Sequence, residues 1–224
     1  MNYAFRLTFM ITVPAAVALS ILSELVYLFL FPTSESYELM MYGSVVIVLM
    51  SITQIQNTVL QGVNKLYVIL GTASLGLVIK FILNYILVSI SSVQILGAII
   101  SNIFAFGIPM LINQRILQKT FKMKISLLNQ CGIPLICSMF MGIVIFLMKI
   151  PAERILNLLN DFIGTSAMGS KLSVIIVLIP IIIVGLLVYF ISMIYTGGIR
   201  RKDLDTISPK IINLMPKFIR KQIN

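Results

Sequence analysis

Six long apolar runs dominate the chain, at about 7–31, 38–61, 66–89, 94–114, 128–149 and 172–196. They leave few folds open. Each holds the roughly 20 predominantly apolar residues that a helix needs to cross the hydrocarbon core of a bilayer. In hydrocarbon every backbone N–H and C=O must find its partner within the protein, so only helices and closed barrels span. A barrel would show short segments of alternating apolar and polar residues, whereas these runs are continuous. The sequence predicts an all-α polytopic membrane protein with about six transmembrane helices. Composition points the same way: of 224 residues 59% are hydrophobic and only 11% charged, against about a quarter charged in an average soluble domain. Such a chain cannot cover a water-facing surface, and it has too much apolar surface to stay disordered. The first run is too long for the apolar core of a signal peptide and lacks a small-residue cleavage site, so it is expected to remain as a spanning helix.

The charges are lopsided, with 17 Lys and Arg against 7 Asp and Glu. In a soluble protein that excess would suggest nucleic acid. Here the basic residues lie between apolar runs, which excludes a nucleic-acid partner and makes them orientation signals instead. With the N-terminus inside, thirteen Lys and Arg fall on the cytoplasmic side and three (Lys149, Arg154, Lys171) outside, while Lys80 lies within a span. Both termini are therefore expected in the cytoplasm. The expected organisation is four spans in 1–115, a basic cytoplasmic loop at 116–127, two further spans in 128–196 with an outer segment at 150–171, and a basic cytoplasmic tail at 197–224. Within the outer segment Ile155, Leu158, Leu159 and Phe162 recur at helical spacing, which predicts a short helix lying in the interface. In the tail, Arg200, Arg201 and Lys202 suit anionic headgroups. Beyond them Ile211, Leu214, Met215, Phe218 and Ile219 offer an apolar face for a surface-lying helix.

Spans that only anchor can be uniformly apolar, and several of these are not. Thr72, Gly76, Lys80 and Asn84 are four apart and share one helix face. A lysine near mid-span costs about 2.5–3.5 kcal/mol on insertion scales, so it is expected to face protein or a wet cavity. There its ammonium would attract an anionic group such as a lipid-linked phosphate; snorkelling to an interface, or pairing with a carboxylate, is the competing reading. Ser51, Gln54, Thr58 and Gln61 form a polar stripe on the second span, with Gln56 and Asn57 beside it. Ala98, Ser101, Asn102, Ala105 and Pro109 share a face of the fourth. Residue by residue, close packing and interhelical hydrogen bonds account for such stripes. Together with Lys80 they point to a hydrated cavity lined by Lys80, Asn84, Gln54, Gln61 and Asn102. Pro14, Pro109, Pro134 and Pro180 fall inside spans and can bend their helices.

The inventory for catalysis is thin. There is no His, which removes the commonest general base and metal ligand. Cys131 and Cys137 lie six apart in one apolar run and read as buried small hydrophobes. Neither a nucleophile elbow, a phosphate-binding glycine-lysine loop nor zinc spacing occurs. No enzyme activity and no cofactor are expected.

Certain residues carry a resemblance. Val59-Leu60-Gln61-Gly62-Val63-Asn64-Lys65, the run Val78-Ile79-Lys80-Phe81-Ile82-Leu83-Asn84-Tyr85-Ile86-Leu87 and Gln94-Ile95-Leu96-Gly97-Ala98 resemble the "LQG-x-x-K … K-x-x-x-N-x-x-L … G-x-x-GA" pattern of polysaccharide-biosynthesis exporters. These are the stage V sporulation protein B-like members of the multidrug/oligosaccharidyl-lipid/polysaccharide flippase superfamily. The opening Arg6-Leu7-Thr8 with Pro14-Ala15-Ala16 is similar to that family's ninth helix, and Arg200–Lys210 to its C-terminal basic segment. The resemblance implies about fourteen helices, two lobes plus two extra C-terminal helices, and alternating access that carries lipid-linked saccharide precursors, polysaccharide or lipid II-like, to the outer leaflet of a bacterial cytoplasmic membrane. Lys80 and Asn84 would then face the cavity from the eleventh helix. Only the last six helices correspond to this chain. Alternating access needs two lobes rocking about a site, so six helices alone are not expected to perform it; a fragment, a split or truncated reading frame, and half of a transporter whose missing helices lie on a separate chain are the readings open. A non-transporting membrane remnant, or a scaffold whose basic tail binds anionic lipid or cytoplasmic partners, is the alternative.

Overall fold

The computed structural model describes residues 2–31, 36–90, 94–122, 127–163 and 167–198. Within them the chain is helical, and no strand occurs among the described residues. The helices are α1 (Asn2–Ile21), α2 (Ser23–Leu30), α3 (Tyr37–Gly62), α4 (Leu66–Val88), α5 (Gln94–Phe121), α6 (Leu127–Ile163) and α7 (Ala167–Tyr195). Six of them, all but the short α2, are long and apolar enough to cross a membrane. The protein is an all-α polytopic membrane protein. Its contacts divide into two compact units, Met1–Gln130 and Cys131–Asn224.

In the first unit α3 and α5 pack together, α1 and α2 lie against α3, and α4 lies against α5. The predicted first span, 7–31, is two helices that meet at Leu22. The backbone bonds Leu22 N–H to Ala18 and Val26 N–H to Leu22 persist across the junction, both at 2.9 Å. Thr8 and Thr12 donate to carbonyls one turn back, those of Ala4 and Thr8. This is how a hydroxyl inside a membrane helix satisfies itself without a neighbour. The connection from α3 to α4 is a tight reversal. Asn64 takes the left-handed conformation, with φ 58°. Lys65 N–H bonds to the Leu60 carbonyl at 2.9 Å and Asn64 N–H to that of Gln61 at 2.9 Å. That pair of bonds is the Schellman termination, in which Asn is the usual substitute for Gly. α7 ends the same way, with Gly197 at φ 65° and Gly198 N–H on the Met193 carbonyl at 2.9 Å.

Two expected boundaries need correction. The loop expected at 116–127 is helical through Phe121, so Arg115 and Lys119 extend α5 rather than a loop. The separate interfacial helix expected within 150–171 is the continuation of α6, which runs unbroken from Leu127 to Ile163 through Pro151. Proline removes one backbone bond but does not forbid helix on either side. At about 1.5 Å per residue these 37 residues greatly exceed a core of about 30 Å. In the second unit α6 and α7 touch where Gly185 meets Ile145 and Met141. The buried Cys137 thiol lies 3.3 Å from the Thr196 hydroxyl. The tail from residue 199 onward, including Arg200–Lys202 and the apolar face around Leu214, lies outside the described residues.

Candidate functional site

The first unit contains a cavity of about 270 Å³ bounded by α3, α4 and α5. Its shape begins with Gly76. The missing side chain lets α4 approach α5 so closely that a Cβ there would lie 2.5 Å from the Ala105 carbonyl oxygen and 2.9 Å from Pro109 Cγ. Around that contact α3 contributes Thr53 and Asn57, α4 contributes Thr72, Ala73, Leu77 and Lys80 beside Gly76, and α5 contributes Ala105, Phe106 and Pro109. Thr72, Gly76 and Lys80 recur every fourth residue, so one face of α4 supplies three positions of the wall.

Depth along α4 follows from its own markers. Tyr67 and Tyr85 are 91% and 76% exposed and stand about 27 Å apart along a helix, close to the thickness of a bilayer core. Such exposed tyrosines suit the two interfaces, where one end of the ring is apolar and the other wet. Lys80 then lies about 6 Å from the midplane, toward the Tyr85 end. Among the described residues nothing hydrogen-bonds to its ammonium or pairs with it, and the side chain stands at the exposed edge of the cavity.

The other sequence-derived site residues go elsewhere. Asn84, one turn beyond Lys80, accepts a hydrogen bond from the Ser101 hydroxyl at 2.9 Å. It joins α4 to α5 and does not line the cavity. Asn102 is half-buried and also outside the lining. Gln54 and Gln61 are exposed on α3, as is Thr58 between them, whose hydroxyl donates to the Gln54 carbonyl at 3.0 Å. The stripe they form lies outside the contact with α5 that Thr53, Gln56 and Asn57 make.

The polar contacts that matter on α3 lie on the neighbouring, buried face. Gln56 is wholly buried, and its Nε2 donates to Gln114 Oε1 at 3.0 Å. Asn113, also wholly buried, donates from Nδ2 to Asn57 Oδ1 at 3.0 Å. One turn earlier Thr53 donates to the Leu49 carbonyl at 2.8 Å and reaches the Phe106 carbonyl at 3.4 Å. Toward the other end Lys65 Nζ donates to Thr120 Oγ1 at 2.7 Å. A polar seam therefore runs down the α3–α5 contact, and Asn57 and Thr53 belong both to it and to the cavity wall. Sequence reasoning set Gln56 and Asn57 beside the main stripe and did not single out Asn113 or Gln114. The signal was two adjacent amide pairs, Gln56-Asn57 and Asn113-Gln114, on spans separated by one other and so running parallel.

Chemically the cavity joins a mostly apolar wall to one unpaired positive charge. It can hold hydrocarbon and attract an anion at its edge. Comparison with protein-family models, with curated proteins and with solved structures finds no match to this chain.

Proposed function

We propose that this chain supplies six helices of a flippase that moves lipid-linked saccharide precursors, of polysaccharide or peptidoglycan, across a bacterial cytoplasmic membrane. The observation that supports this reading is Lys80 at the edge of the cavity between α3, α4 and α5. An ammonium within a span is costly, and an anionic cargo compensates that cost where a purely structural position would favour Leu. The family resemblance carried by Gln61-Gly62-Val63-Asn64-Lys65 and by Lys80 with Asn84 points to the same cargo. Both termini are cytoplasmic in this proposal, with Lys80 in the outer half of the membrane. Alternating access needs two opposed bundles about a site, so activity belongs to an assembly that carries further helices beside these six. The complete assembly carrying Lys80→Ala or Lys80→Glu is expected to lose precursor export while inserting normally. Export at the unmodified rate by both variants would remove Lys80 from transport and end this reading.

A further inference from the structure

The cavity's wall says which end of such a cargo it takes. Six of its ten lining residues are Ala73, Gly76, Leu77, Ala105, Phe106 and Pro109, none of which offers a side-chain hydrogen bond. The two hydroxyls in the wall are committed. Thr53 donates to the Leu49 carbonyl at 2.8 Å, and Thr72 to that of Val68 at 3.0 Å. Asn57 Oδ1 already accepts from Asn113. Uncommitted donors remain on Lys80 Nζ and on the amide of Asn57. A saccharide presents many hydroxyls, and each buried without a partner costs free energy. A hydrocarbon chain makes no such demand. The volume of about 270 Å³, that of roughly nine water molecules, admits a short stretch of a single chain.

We infer that the cavity between α3, α4 and α5 receives the first stretch of a long-chain alcohol, with its phosphate on Lys80 Nζ and the saccharide held outside. This rests on the flippase reading above and specifies which part of the cargo the six helices recognise.

The test uses the full chain in phosphatidylcholine nanodiscs, with farnesyl phosphate, farnesol, glucose 1-phosphate and dioleoyl phosphatidate as probes in calorimetry. Farnesyl phosphate is expected to bind, farnesol about tenfold more weakly, and glucose 1-phosphate not measurably; loss of one charge-assisted contact accounts for the tenfold step. Lys80→Gln, which removes the charge, and Ala73→Leu, which fills the cavity, should each weaken farnesyl phosphate about tenfold. Leu77→Phe serves as the second filler should Ala73→Leu fail to give helical, monodisperse protein. Binding of glucose 1-phosphate as tight as that of farnesyl phosphate would overturn the assignment, as would equal competition by phosphatidate or fillers that leave binding unchanged. The two readings fail separately. Export lost in Lys80→Ala with fillers harmless to binding sinks this inference and leaves the flippase. Farnesyl phosphate binding as expected, with export indifferent to Lys80, leaves the site and sinks the flippase.

Discussion

At the scale of single residues the molecule is governed by what a polar atom does when no water is near. Thr8, Thr12 and Thr72 turn their hydroxyls onto their own helices. Gln56, Asn57, Asn113 and Gln114 pair across two helices instead. Gln56 Oε1 and Asn113 Oδ1 remain buried without a donor among the described residues, so this seam is not fully satisfied. Interhelical bonds of this kind are worth about 0.6 kcal/mol on average and up to roughly 1.7. Asn113→Leu is therefore expected to destabilise the protein by about 1 kcal/mol, read from reversible unfolding in mixed micelles. The double variant Asn57→Leu with Asn113→Leu should cost less than the sum of the two single changes, because it leaves no amide facing an apolar neighbour. Strict additivity would show that the bond contributes nothing. The sequence displayed these residues but not their roles. Offsets of 54, 58 and 61 made the more regular polar stripe, yet the buried face is that of Thr53, Gln56 and Leu60. Periodicity finds a face without saying what covers it, and in a membrane helix polar side chains can occupy both sides.

At the scale of elements, the spans were legible because apolar length alone specifies them. Their ends were less so. α5 continues seven residues past the expected end at 114, since Arg115 and Lys119 are as acceptable in a solvated helical turn as in a loop. α6 runs through Pro151 into what read as a separate amphipathic helix; the apolar spacing at Ile155 and Leu158 was correct, and the break was not there. Asn64 escaped notice as a helix terminator, because the left-handed position usually advertises itself with glycine. Packing of α4 on α5 depends on one missing side chain. Gly76→Ala would push a methyl into the Ala105 carbonyl and Pro109, and an overpacked contact of this kind costs about 1–3 kcal/mol. Gly71→Ala, on the same helix, meets nothing within 4 Å and should leave stability unchanged or raise it by up to about 1 kcal/mol through better helix propensity. Thermal melts of the two variants in one detergent provide the comparison, and equal melting temperatures would deny that Gly76 sets the approach of α4.

At the scale of the whole molecule, six helices long enough to span are found among the described residues, and α4 carries the unpaired ammonium of Lys80 to within about 6 Å of the midplane. Everything proposed for the chain's work depends on that ammonium meeting water or an anion there. Labelling tests this most directly. Lys80→Cys is placed in a chain whose Cys131 and Cys137 are serine, with Leu70→Cys, on an exposed apolar position of the same helix, as the lipid-facing control. Water-soluble charged maleimide is applied to sealed and to permeabilised vesicles. The account predicts that position 80 reacts at least tenfold faster than position 70, since only a thiolate in contact with water attacks the reagent. Position 80 reacting no faster than position 70 would mean that no water reaches this point, and would contradict the account.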